Sequence, residues 1–215
     1  MTPIRPRALA AVVAASLLAG CATPRPPPPP VTAFTRANCV AAPDLAGAVG
    51  LTPDKEKAVH TVITPVTADT PCLSGPGGPT PYVLYALPAD IHDKTLIVGG
   101  VLEAARIVPP DVALLDRLGR VVRTFHAADY YFRGPVYSVQ FTPRDGERYT
   151  LVTVDASRIG QRYDSIAIGT ATTSTYAAGM AMSWTSGVDA AQSRTFSYQG
   201  SIQATVFDSE TGKKQ

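Results

Sequence analysis

The chain has 215 residues, 19 basic against 17 acidic, and three cysteines. That length suits one domain with a real core. The near-balance of charge, without any long basic or acidic run, argues against a general electrostatic grip on nucleic acid.

The N-terminus carries Arg5 and Arg7, then an apolar run from Ala8 to Leu18 broken only by Ser16, then Ala19-Gly20-Cys21. A charged start, a short apolar stretch and small residues at a cut site form the secretory pattern. The run is about a dozen residues, whereas a membrane-spanning helix needs roughly 20. Leu18-Ala19-Gly20-Cys21 resembles the bacterial lipobox. The resemblance implies that residues 1–20 are a signal peptide and that Cys21 receives diacylglycerol and then a further acyl chain. Each buried CH₂ contributes about 0.8 kcal/mol and a single chain holds only reversibly, so several chains on one residue make a firm anchor. A plain signal peptide with an incidental cysteine is the rival. Ala22 follows the anchor position; the absence of an Asp there implies, again by resemblance, an outer-membrane lipoprotein facing the periplasm. Loss of Arg5 and Arg7 leaves seventeen basic and seventeen acidic residues, a formally neutral mature chain.

Residues 21–34 are expected to be a linker, with an unbroken proline run from Pro26 to Pro30. Such a run is a polyproline II spacer of about 3.1 Å per residue; a ligand for an SH3-like groove is the alternative. Cys39 and Cys72 remain once Cys21 is consumed. In an oxidising compartment they are expected to bridge, closing a loop of about thirty residues for roughly 3–4 kcal/mol. Two free buried thiols remain the other possibility.

Val31 to Pro53 has little periodicity and reads as a lead-in, with a helical turn expected near Asp54–Lys57. Ala58–Ile63 alternates loosely as an early strand. Pro71–Pro79 reads as a loop. Tyr82–Leu87 is a strand stopped by Pro88, and Lys94–Val98 another stopped by Gly99-Gly100. Val112–Leu115 is apolar throughout, as a buried strand is; Asp116–Gly119 turns and Val121–Phe125 returns. Val136–Phe141 and Tyr149–Val154 alternate with period two around a Pro143–Gly146 turn. Short strands at roughly ten-residue spacing predict an all-β fold, an antiparallel, jelly-roll-like β-sandwich over residues 35–208. Within it, residues 156–199 form a long polar excursion rich in Gly, Ser, Thr and Ala, either mobile or built of short elements. Ser201–Phe207 is a last strand and residues 209–215 a polar tail.

The run Pro81–Pro88, the stretch Pro110–Asp116, the Tyr149–Val154 strand, the excursion and the final strand together resemble the maltose-operon periplasmic protein (MalM-like) family. The same pieces are also similar to pre-peptidase C-terminal β-sandwich domains. Either resemblance implies a β-sandwich in the envelope and carries no catalytic residue.

The sequence holds no Gly-x-Ser-x-Gly, His-Glu-x-x-His, Cys-x-x-Cys or phosphate loop with Lys. His60, His92 and His126 lie far apart, with no ligand pair among them, so no metal and no cofactor is expected. Asp116, Asp145 and Asp155 sit at strand ends, where turn roles account for them. The strongest candidates for ligand or partner contact are Tyr130, Tyr131 and Phe132, followed by Arg133, with Trp184 in the excursion. Aromatic loop clusters recognise sugar faces and protein partners, although alternate members also suit a sandwich core. The expectation is a membrane-anchored, non-enzymatic binding or assembly module for a glycan or envelope protein. A hydrolase using strand-end carboxylates, or a purely structural envelope component, are the alternatives.

Overall fold

The computed structural model describes residues 26–55, 58–91, 93–177 and 180–208. Cys21, the signal, His92 and the 209–215 tail lie outside these. In chain order the strands are β1 (Val49–Gly50), β2 (His60–Val66), β3 (Cys72–Gly75), β4 (Gly78–Pro81), β5 (Val83–Ala86), β6 (Lys94–Val101), β7 (Arg106–Ile107) and β8 (Pro110–Leu115). They continue with β9 (Val121–Thr124), β10 (Tyr131–Arg133), β11 (Val136–Phe141), β12 (Tyr149–Val154), β13 (Arg162–Ala177), β14 (Met180–Phe196) and β15 (Gly200–Asp208). Single 3₁₀ turns at Ala127–Asp129 and Ala156–Arg158 interrupt them. The fold is an all-β sandwich.

One sheet runs β1-β5-β12-β8-β9 and the other β10-β11-β6-β15-β2. Every pairing in them is antiparallel except β1 with β5. Alternation of apolar and polar residues along each strand sends one set inward. Tyr85, Leu114 and Val152 from the first sheet meet Leu96, Val98, Val139, Ile202 and Val206 from the second in the main core. Tyr85 also anchors the two layers by donating its hydroxyl to Thr64 Oγ1 at 2.9 Å, and burial pushes its pKa up to about 12.

The first sheet is covered on its outer face too. Leu84, Leu115 and Leu151 pack there against Leu45 and Ala48 of the lead-in. This explains why β5 and β8 are apolar on both faces rather than alternating. The lead-in is held by a parallel bridge from Val40 to Leu73 and by the Cys39–Cys72 disulfide.

Several expectations need refinement. β6 does not stop at Gly99-Gly100 but runs on to Val101. Both glycines are sites of close backbone approach: a Cβ at Gly99 would lie 2.2 Å from the Tyr137 carbonyl oxygen, and one at Gly100 1.9 Å from that of Val108. The Pro71–Pro79 loop is instead a hairpin, β3 against β4, turning through Pro76-Gly77 and returning at Gly78 with φ +95°. At Asp54–Lys57 only a bend at Asp54-Lys55 falls within the described residues.

The largest difference lies at residues 156–199. After the 3₁₀ turn the chain forms a two-stranded ribbon, β13 of 16 residues against β14 of 17. The pairing is antiparallel and unbroken from Arg162↔Thr195 to Ala177↔Met180. Among the described residues only its foot joins a third strand, where Thr195 and Phe196 run parallel to Arg106 and Ile107 of β7.

Candidate functional site

The aromatic residues singled out by sequence converge at the foot of the ribbon. Tyr131, Phe132 and Arg133 form β10, the edge strand beside β11. The β10–β11 register places Phe132 opposite Tyr137, and their ring centroids lie 4.8 Å apart. Phe132 then stacks on Tyr163 of β13 at 3.9 Å and 14°. Tyr137 in turn meets Phe196 of β14 edge-on. Ile107, Tyr137 and Phe196 are the buried centre of this cluster, flanked by Leu102, Tyr130 and Tyr163. Aromatic rings therefore join the sandwich edge to the ribbon.

Cations complete the seam. The Arg158 guanidinium lies 4.9 Å from the Tyr137 ring centroid and 5.0 Å from that of Phe196, and it donates to the Tyr137 hydroxyl. Arg194, buried in β14, donates from Nε to the Glu103 carbonyl at 2.6 Å and from Nη1 to Ser165 Oγ at 2.8 Å. Glu103 pairs with Arg106 at 2.6 Å and accepts from Ser201 Oγ at 2.8 Å. This network fixes the base of the ribbon on both β6–β7 and β15.

The four sequence-selected residues divide by role. Tyr130 is half-buried, and its hydroxyl accepts from the Val112 amide at 2.8 Å. Burial, the largest influence, raises its pKa, so it stays a neutral phenol. Tyr131 is 61% exposed, with Arg133 5.5 Å above its ring, and is the open contact of the group. Phe132 keeps one-third of its surface exposed, at 36%, while stacking on Tyr163. Trp184 falls in β14 opposite Thr173, well along the ribbon from the seam.

A small cavity of about 60 Å³ opens beside the seam, lined by Asp111, Tyr130, Tyr137, Asp155 and Arg158 among others. Desolvation, and then the neighbouring Asp155 carboxylate, raises the Asp111 carboxyl above the usual range. A carboxyl with a raised pKa beside a second carboxyl is an ingredient of acid–base chemistry. The space, however, matches about two waters at roughly 30 Å³ each, and Asp155 already accepts from the Ser157 amide at 3.0 Å and hydroxyl at 2.6 Å. Asp116 is folded into its own turn, accepting from the Leu118 and Arg120 amides at 2.8 and 3.0 Å. It does not join Asp155. His126 meets Asp129 through its main-chain amide, at 2.7 Å. Among the described residues no three His, Cys, Asp or Glu converge to hold a metal.

The N-terminal arm reaches the same place. The Val31 amide donates to Ser197 Oγ at 2.8 Å, and the Tyr198 amide donates to the Val31 carbonyl at 2.8 Å. Phe34 packs on Tyr198 at 5.6 Å. The expected linker over 21–34 is therefore docked from Val31 onward, immediately after Phe196. Sequence gave no sign of this, because Val31 and Phe34 contact residues far along the chain. A second depression, about 340 Å³, lies by the disulfide and is lined by Arg36, Asn38, Asp44, Asp69 and Tyr82 among others. Comparison with family models, curated proteins and solved structures yields no match to this chain.

Proposed function

We propose that this chain is a lipid-anchored protein of the bacterial envelope, held through Cys21 in the outer membrane and facing the periplasm. In this reading it is a non-enzymatic assembly module whose working end is the aromatic foot and the ribbon above it. The observation that carries it is the meeting of three features at one spot. The arm leading back to Cys21 docks on Ser197 and Tyr198. The ribbon rises from Phe196. The open aromatic Tyr131, with Arg133 over it, sits on the adjoining edge strand. An exposed aromatic with a cation on its face is suited to gripping a protein partner or a sugar ring. The small size of the Asp111–Asp155 cavity and the prior engagement of Asp155 favour this over a hydrolase.

The test is capture from membranes solubilised in mild detergent, comparing the parent chain with Tyr131→Ala and Phe132→Ala. Loss of a stoichiometric envelope protein in both variants, with the fold retained, supports the reading. Equal capture by all three removes these residues, and retention of a purified cell-wall glycan instead identifies a glycan module. For the anchor, Cys21→Ser is expected to abolish lipid-dependent mobility and partition with the membrane.

A further inference from the structure

We propose that the ribbon is a barrel-forming element. Ribbons of several copies of this chain pair edge to edge and close into a β-barrel that crosses a lipid bilayer beside the anchor. This rests on the lipid-anchor reading for its location, and on the ribbon itself for its chemistry.

Open edges come first. β13 ends its sheet, and β14 has β7 alongside only at Thr195 and Phe196. Twelve paired positions, from Ile166↔Ala191 to Ala177↔Met180, have no third strand on either side among the described residues. A long ribbon with two open edges is a template for further strands unless charges, prolines or bulges block it. This one has almost none of those guards. No proline occurs between Arg162 and Phe196, and Asp189 is the only charged residue between Asp164 and Arg194. The pairing runs without a register shift.

Length and patterning then select the environment. Twelve residues at about 3.3 Å each extend roughly 40 Å, and a tilted strand needs about 9–11 residues to cross a bilayer. Registered pairs share a face, so the two faces can be separated by position. One carries Ala171 with Ser186, Thr173 with Trp184 and Thr175 with Met182. The other carries Thr170 with Gly187, Thr172 with Thr185 and Ser174 with Ser183, followed by Ile168 with Asp189. The first is the more apolar and holds Trp184; the second holds the central row of hydroxyls and the single charge, with Tyr176 and Ile166 toward its two ends. Alternation of this kind, with one face for lipid and one for water, is the pattern of a membrane barrel strand. In hydrocarbon every amide must be paired, so a ribbon can enter only as part of a closed ring. Identical ribbons supply matching edges, and with almost no charge they do not repel.

The tether adds location. The arm docks at Val31 on the foot of the ribbon. From there to Cys21 it is about ten residues, or roughly 30 Å of polyproline II at full stretch. A bilayer holding the lipid is within reach of the ribbon's foot.

The experiment uses the full chain, purified with its lipid in mild detergent. Its mass is measured by light scattering, and it is then reconstituted into dye-loaded vesicles of phosphatidylethanolamine and phosphatidylglycerol. A discrete oligomer that releases dye is expected. Ala171→Arg and Thr175→Arg, both on the apolar face, are expected to cut release by roughly thirtyfold or more, the cost of a cation facing mid-bilayer lipid. Thr172→Arg, one position over, keeps release and shifts conductance toward anions. Melting temperature and an oxidised Cys39–Cys72 pair confirm the fold in each variant, and the parent measurements need no variant at all. A monomer, an oligomer that releases nothing, or identical behaviour of Ala171→Arg and Thr172→Arg overturns the proposal. Mass spectrometry at Cys21 separates the two readings: a lipidated monomer defeats the barrel alone, and an unlipidated, dye-releasing oligomer defeats the anchor alone.

Discussion

The sandwich and the ribbon are both antiparallel β-structure, yet they are held by different physics. In the sandwich each strand has neighbours and a second layer; Leu114, Val98 and Val139 are almost wholly removed from water. Stability there comes from apolar burial. Above its foot, each ribbon strand has one hydrogen-bonded partner among the described residues. An isolated two-stranded hairpin is marginal in water. It is fixed at its base by Arg194, Phe196 and Tyr163. On the assembly proposal the two regions divide folding from assembly: the body packs on itself, while the ribbon has edges with no third strand among the described residues.

The largest effect that sharpens this contrast is in the core. Leu114→Ala, at a site with no exposed surface, is expected to cost about 4 kcal/mol and to be visible in urea unfolding. If the loss were below about 1 kcal/mol, the body would not be the close-packed unit described. Next is the disulfide, which spans 33 residues. Cys39→Ser is expected to remove about 3–4 kcal/mol through the unfolded chain's entropy, with the lead-in loosening over Leu84 and Leu115. Smaller again is the seam. Phe132→Ala removes a stack on Tyr163 from a residue that is one-third exposed, and is expected to cost about 1–2 kcal/mol. Hydrogen exchange should show the loss as faster opening of the ribbon's foot, with the core amides unchanged.

The same contrast decides what could be read from sequence. Val136–Phe141 and Tyr149–Val154 were legible because a sandwich strand must place apolar residues on its inner face, which writes period two into the chain. Ala, Thr, Ser and Gly at successive positions give weak alternation, so β13 and β14 read as a polar excursion. Prolines and glycines likewise hid β3 and β4, since Pro79 and Pro81 stand in an edge hairpin where a missing amide is tolerated. Tyr130–Phe132 could be picked out as a cluster. What could not be foreseen was that Tyr163, Phe196 and Val31 would come to meet it, because those contacts join residues distant in sequence.

Charge provides the finest comparison. Asp116 closes the β8–β9 turn, and its pKa is lowered, first by the Arg120 amide and further by the Arg120 guanidinium and the Leu118 amide. A carboxyl lowered on folding adds stability above its unfolded pKa and loses it as pH falls through the folded value. The melting temperature is therefore expected to decline slightly as pH drops below the usual carboxylate range, and Asp116→Asn is expected to flatten that decline.

The smallest effect expected is at the ribbon's middle. Thr172 pairs with Thr185 there, with no third strand beside either among the described residues. Thr172→Ala should leave the body's unfolding free energy within about 0.5 kcal/mol, as a change outside the sandwich does. A body-wide loss of a kilocalorie or more would mean that the ribbon packs on the sandwich, and the separation of folding from assembly would fail. An unchanged body, joined to a changed oligomer mass in detergent, would instead locate the ribbon's contribution between copies rather than within one.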